Sequence, residues 1–430
     1  MKDKIVFTVV LILSIIYIVI GNKIAMKNNS ILDQVSKLDY PKGEVTRIIE
    51  RKETPIYVDG LEDQYNTDIT FEAQVTSGEH KDELVIATQN ISTYISGTIK
   101  EVGVNDKVLL YNTQTPEGQS IWYFVEYSRT DALIVLALVF LGLILLFGKT
   151  KGVKTMISLV FTVLSIFIVY IPAILGGQNI YAWTIVTCTF ITISTVILVY
   201  GCSRKTCVTA LGCMGGVLVA GILTLIMNGL LNLTGFVDEN AIYLQQLNSK
   251  IDLKAIIFGG ILVGAVGAIM DVSIDIASSL NEVASKMERP HFKDIVKSGF
   301  NIGKDIMGTM TNTLILAYIG SSLSTVLLLT ASSHSIAYLF NLEMITVEIL
   351  QALAGSIGIL TTIPLTSVIA ATLYSYADNS KNVYKYKGGA QKKLVTQKID
   401  STNDNDDLAL TSENRTSLTS TSSKRTKSKH

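Results

Sequence analysis

The sequence predicts an α-helical polytopic membrane protein of about eight transmembrane helices, with a small extracytoplasmic β-domain between the first and the second. Three observations carry this. Apolar residues make up 48% of the 430 and gather in long runs, while charged residues reach only 17%, against about 25% in soluble domains. The polar stretch after the first run alternates apolar and polar residues with a period of two. Basic residues bunch in alternate connections between the later runs, as short cytoplasmic loops require.

Taking the elements in order, Ile5–Ile20 is an unbroken apolar run behind Lys2 and Lys4. It is longer than the roughly 7–15 residues of a signal-peptide core, and Gly21-Asn22-Lys23 is a poor cleavage site. Residues 1–21 therefore read as an N-terminal transmembrane anchor in preference to a signal peptide. Either one exports the polar segment behind it.

Residues 22–131 read as a β-rich domain, with an OB-like barrel as one form it can take. Val45, Arg47 and Ile49 alternate, as do Ile69, Phe71, Ala73 and Val75, and short strands are expected at 83–87, 97–104, 107–111 and 121–127. Asn105-Asp106 reads as a tight turn, its acid serving the turn and not a ligand.

Beyond it lie seven apolar runs, at about 132–147, 153–175, 180–200, 207–231, 253–280, 306–329 and 347–376, which form a seven-helix core over 132–376. Most reach the roughly 20 residues that cross a bilayer; the first is short by a turn. Lys149, Lys151 and Lys154, then Arg204 and Lys205, then Lys286, Arg289, Lys293, Lys297 and Lys304 occupy alternate connections, whereas 176–179, 232–252 and 330–346 hold only Lys250. This alternation places both termini in the cytoplasm and the β-domain outside. Residues 377–430, polar and without apolar periodicity, read as a disordered cytoplasmic tail.

Few features suggest catalysis. The four histidines are scattered, the four cysteines lie between 188 and 213 without metal-site spacing, and the motifs HExxH, GxSxG and the phosphate-binding loop are missing. No enzyme activity, cofactor, metal site or nucleic-acid partner is expected.

The chemistry concentrates in the sixth span. Gly260, Gly264, Gly267, Asp271, Asp275, Ser278 and Glu282 recur every three or four residues and form one stripe. The glycines suit helix packing. Carboxylates are costly in hydrocarbon and usually mark a pathway or a paired site. Asp271 lies about 16 Å of helix rise from Glu282 and Asp275 about 10 Å, so Asp271 is the deeper and Asp275 also reads as an ordinary interfacial residue. The seventh span places Asp305, Thr309, Thr311 and Asn312 at similar depth, and the eighth carries Gly355, Gly358, Thr362 and Pro364, whose ring removes a helix hydrogen bond. Asp271, Asp275, Asp305, Thr309, Thr311, Asn312 and Pro364 are thus the candidate ion or substrate site. Gly212, Gly216 and Ala220 of the fifth span form a further small-residue packing face.

The stretches GAVGAIMDVSIDIASSLNE at 264–282, GKDIMGTMTNTLILAYIG at 303–320 and AGSIGILTTIPLTSVIAA at 354–371 resemble the membrane core of the YibE/F-like proteins, and the resemblance extends over most of 40–376. It implies a multispanning protein of the bacterial cell membrane, from a family mostly without an assigned activity. Asp271, Asp305, Thr309 and Asn312 match the family's motifs.

Two functions fit these residues. One is a secondary permease for a small solute or ion with an Asp-centred intramembrane site. The alternative is a non-transporting scaffold or sensor whose outer β-domain binds an envelope partner or ligand. The lipid bilayer is a partner in both, and a homo-oligomer or a paralogous membrane partner is compatible with either.

Overall fold

The computed structural model describes residues 2–27, 40–58, 61–92, 100–114, 120–287, 290–331 and 335–406; within these ranges side chains are described from Ile5 to Ser375, apart from those of 57–64 and Leu329. The first helix, α1 (Lys2–Ala25), leads into five strands: β1 (Lys42–Val58), β2 (Leu61–Val75), β3 (Leu84–Ser92), β4 (Lys107–Gln114) and β5 (Ser120–Tyr127). They close into a barrel in the order β1-β2-β3-β5-β4, antiparallel except for β3 against β5. This is the strand order of OB-like Greek-key barrels.

Alternation fills the barrel. Ile69, Phe71, Ala73 and Val75 are buried, as are Val85 and Ala87, Val108 and Leu110, and Trp122. Along β1 the phase slips. A bulge between Val45 and Arg47 turns Arg47 and Ile49 outward, so that Val45 and Ile48, not the expected Val45, Arg47 and Ile49, pack inward. The strand expected at 97–104 is not formed over 100–104; its first residues lie outside those described. Val102 is instead buried, its N–H donating to Gln89 Oε1 at 2.8 Å. Asp106 closes the turn as expected, accepting from Gly103 N–H at 2.8 Å and from Lys100 Nζ.

The helical part runs α2 (Thr130–Leu164), a π-helical turn at Ser165–Tyr170, α3 (Ile171–Leu175), α4 (Ile180–Tyr200), α5 (Arg204–Leu230), α6 (Glu239–Leu247), α7 (Leu253–Lys286), α8 (Phe292–Ser321), α9 (Leu323–Ala331), α10 (Ile336–Asn341) and α11 (Glu343–Asp406). Among the described residues six helices are long and apolar enough to cross a membrane, against the eight that the sequence predicts. Two features account for the difference. The expected spans 132–147 and 153–175 form one 46-residue stretch, Thr130–Leu175, broken at Lys149 (φ 48°, ψ −125°), where the chain turns back and Gly152 meets the Ile144 carbonyl. The expected span 306–329 is divided at Ser322 between α8 and α9 and is not among the six. Of the expected tail, 377–430, residues 377–406 continue α11 as helix, without described side chains, and 407–430 lie outside the described residues.

α7 is the axis of the bundle. Ala265, Ile269, Val272, Ser273, Ile276 and Leu280 are buried against α5, α8 and α11. Gly212 and Gly216 bring α5 onto α11: a Cβ at Gly212 would collide with Thr366 Oγ1, and one at Gly216 with Thr362 Oγ1. Gly299 and Gly303 seat α8 on Ser367 and Ile363 in the same way. α1 joins this bundle by stacking Tyr17 on Phe190 at 3.9 Å and by accepting bonds from Gln178 Nε2 at its last carbonyls.

Candidate functional site

α7 begins at Asp252, whose side chain accepts from Ala255 N–H at 3.2 Å and fixes the helix start. With one face of α7 committed to the core, the three-to-four spacing leaves the other as a single open strip. Gly260, Gly264, Gly267, Asp271 and Asp275 are all exposed along it. Nothing lies within 4 Å of a Cβ built at Gly260 or Gly267, and at Gly264 the nearest atom is Tyr318 Oη of α8 at 2.9 Å. The glycines expected to bring a neighbouring helix close therefore meet no helix backbone among the described residues.

Asp271 and Asp275 have no hydrogen bond or ion pair among the described residues. Tyr200 at the end of α4 is close enough to interact electrostatically with both carboxylates, and Lys205 with Asp275. The polar residues of α8 do not converge on them. Asp305, Thr309 and Asn312 are exposed, and the Thr309 hydroxyl donates to the Ile306 carbonyl of its own helix at 3.0 Å. Thr311 is half-buried, and its hydroxyl is buried without a partner. Pro364 is half-buried in α11, between Thr362 and Thr366, which face α5 and not the aspartates.

A second polar group was not singled out by sequence reasoning as a cluster. Thr209 of α5, Ser273 of α7, and Thr362, Thr366 and Ser367 of α11 are each 0% exposed. Ser273 Oγ donates to the Thr209 carbonyl at 2.9 Å and lies 3.1 Å from Thr366 Oγ1. The signal was present in the spacing, because Gly212 and Gly216 match Thr366 and Thr362 turn for turn. It becomes visible only once α5 and α11 are known to cross.

A cleft of about 590 Å³ opens on the barrel, lined among others by Gln89, Lys100, Phe124, Glu126, Tyr127 and Arg129. Lys100 Nζ lies 4.8 Å from the Tyr127 ring centre and the Arg129 guanidinium 5.9 Å. Both cations are already paired, with Asp106 and Glu126. Among the described residues no three His, Cys, Asp or Glu side chains form a group able to hold a metal.

The sequence profile of the YibE/F-like protein family matches residues 136–376, which include all of α7, α8 and the described part of α11 that carries Pro364. The chain belongs to that family. The match takes in the helical core and stops short of the barrel, so the family pattern covers less of the chain than the expected 40–376. No curated protein and no solved structure matches the chain. Membership, with the apolar helices, makes this a membrane protein. Within the YibE/F-like core, the open strip of α7 is where apolar sequence and carboxylates without a hydrogen bond or ion pair among the described residues coincide.

Proposed function

We propose that this YibE/F-like protein is a secondary permease of the bacterial cell membrane for a small solute or ion, with Asp271 as the residue that binds the proton, cation or substrate. The observation that carries the reading is the strip on α7: two carboxylates, one turn apart and without partners among the described residues, on an otherwise apolar helix. Such groups are retained at membrane depth where water or a bound cation compensates them. Asp275, nearer the basic connection, guides cations toward Asp271, and Thr309, Thr311 and Asn312 of α8 complete the site when α8 closes over the strip. Pro364 supplies the flexible point of α11.

The reading includes eight crossings, with α2 counted as two and α8–α9 as one, both termini in the cytoplasm and the barrel outside. It includes no enzymatic step. The test is flux: in null cells complemented with wild type or Asp271→Asn, the solute whose level follows wild type alone names the substrate, and wild-type flux in the mutant refutes the site.

The scaffold or sensor reading is favoured by a separate observation, the cleft beside Tyr127 on the barrel. There the open strip of α7 would dock a second copy or a paralogous membrane protein. Asp271→Asn would then reduce co-purification of the partner and leave solute levels unchanged.

A further inference from the structure

The strip on α7 has polar neighbours nearer the start of the helix. Glu348, Gln351 and Gly355 recur at steps of three and four in the first turns of α11 and so share one face, which meets Tyr318 of α8 over Gly264. A Cβ built at Gly264 would lie 2.9 Å from Tyr318 Oη and 3.7 Å from Gln351 Nε2, and one at Gly355 would lie 3.9 Å from Tyr318 Cε2. Glu348 is close enough to Tyr318 to interact with it electrostatically. The Tyr318 hydroxyl is buried, and Gln351 stands beside it without making a hydrogen bond of good geometry. Glu348 is half-buried and has no hydrogen bond or ion pair among the described residues. A helix pair that only spanned and packed would do as well with phenylalanine at 318 and an apolar residue at 348, so two unused polar groups at one place need a reason.

We propose that Glu348, Tyr318 and Gln351 form a second station on the α7 groove, which binds a small monovalent cation outward of Asp271. The charge of the groove decides the sign of the ligand. Stretches 255–285 of α7, 305–321 of α8 and 343–375 of α11 contain no Lys or Arg, while Asp271, Asp275 and Glu348 all lie inside them. Lys205 stands at the far end, beside Asp275. An anion near Glu348 would therefore meet repulsion from every charge on these three stretches. One carboxylate with the neutral oxygens of Tyr318 and Gln351 balances a single positive charge, whereas a divalent ion such as calcium takes about six to eight oxygens, several of them carboxylate. There is room for the ion to keep part of its water, because at Gly260 and Gly267, about one turn to either side of Gly264, nothing lies within 4 Å of a Cβ. Gly264 and Asp271 are on one face of α7, about 10 Å of rise apart, so a cation passing inward along the groove meets Asp271 next. That the transported solute is this cation rests on the permease reading; binding at Glu348 does not.

The experiment is thermal unfolding of the full-length protein in detergent, titrated with lithium, sodium, potassium or ammonium chloride against N-methylglucamine chloride at constant ionic strength. A ligand bound only by the folded state raises the midpoint saturably. At least one of the four cations is expected to do so, and exchanging chloride for gluconate to change nothing. Glu348→Gln should weaken half-saturation by about tenfold or more, the loss of a charged contact. Tyr318→Phe keeps the ring over Gly264 and removes only the unbonded hydroxyl, so it should fold normally and weaken half-saturation by about three- to tenfold. Asp271→Asn, at the other station, should keep the response. Midpoints equal to those in N-methylglucamine for all four cations overturn the station, as does a response that Tyr318→Phe and Glu348→Gln leave unchanged; Tyr318→Phe decides alone if Glu348→Gln does not fold. A response lost in Asp271→Asn and kept in Glu348→Gln overturns it too. Wild-type flux in Asp271→Asn would instead sink the permease and leave the binding at Glu348 standing, so the two readings fail separately.

Discussion

Replacing Gly267 by alanine tests whether the α7 strip is open in the single chain. At Gly267 a Cβ meets nothing within 4 Å, so the change only adds helix propensity, worth about 0.8–1 kcal/mol in a helix interior. Gly260→Ala should behave alike, for the same reason. Gly216→Ala is the control. There the Cβ would collide with Thr362 Oγ1 and stand 2.9 Å from Ile269 Cγ2 and 3.0 Å from the Gly358 carbonyl. Two of those three neighbours are rigid, so overpacking costs about 1–3 kcal/mol and cancels or exceeds the propensity gain. The two alanines should therefore differ by about 1–3 kcal/mol, Gly267→Ala the more stable. Thermal unfolding of detergent-purified protein, with size exclusion in parallel, reads the difference. If Gly267→Ala destabilised as much as Gly216→Ala, another helix would be lying on the strip, and the aspartates would face a protein interface instead of an open groove.

Three further outcomes are expected. Asp271→Asn should not lower the unfolding midpoint, since the carboxylate has no hydrogen bond or ion pair to lose among the described residues and its charge is costly at membrane depth; folded yield measures it. Glu343→Ala should loosen the start of α11 by about 1–3 kcal/mol, because its carboxylate accepts from Thr234 N–H at 2.8 Å, Gly235 N–H at 2.6 Å and the Thr234 hydroxyl at 2.7 Å; protease sensitivity around Thr234 reports it. In the barrel, burial pushes the Asp106 carboxyl up, but the Lys100 ammonium and the Gly103 N–H outweigh this and hold it below its ordinary value. A carboxyl depressed in the folded state contributes stability above its unfolded pKa and loses it as pH falls through the folded one. Acid unfolding of Asp106→Asn should accordingly be less steep below the ordinary carboxylate range than that of wild type.

How much was legible in the sequence depended on the kind of information each feature needs. Helices declared themselves by length and apolarity, and Ile69 to Val75 declared a strand by its alternation. A bulge is a local backbone event without a residue signature of its own, so the phase of β1 could not be read beyond Val45. The division of 306–329 at Ser322 differs: Gly320-Ser321-Ser322 and Ser324-Thr325 interrupt the apolar run at the break, a signal that the run's overall apolarity outweighed in the sequence reading. The stripe on α7 came from 3.6-residue periodicity alone. Its direction did not, because periodicity says which residues share a face and not what that face meets. Gly260 and Gly267 carry the spacing of a packing surface and meet nothing among the described residues, while Gly212 and Gly216, with similar spacing, are in tight contact.

The contrast between those glycine pairs bears on function through α7, which presents two polar faces at one depth. Inward, Ser273 joins hydroxyls that are wholly buried; outward, Asp271 and Asp275, two residues to either side of it, are exposed and unpartnered among the described residues. A step of about 100° per residue makes this separation unavoidable, since residues 271 and 275 fall within about 40° of one another and 273 lies roughly opposite. A helix that needed only to span would carry apolar residues at all three positions. One that needed only to pack would keep the serine and drop the aspartates, because a lone interhelical hydroxyl is worth about 1–2 kcal/mol at most and a lipid-facing aspartate costs about 2.5–3.5 kcal/mol. At the depth of Asp271 that cost exceeds what a hydroxyl bond of the crossing returns, and Asp275, nearer the interface, adds a smaller one. Their presence on α7 therefore calls for something that meets them from outside the helix: water, a cation, or another chain.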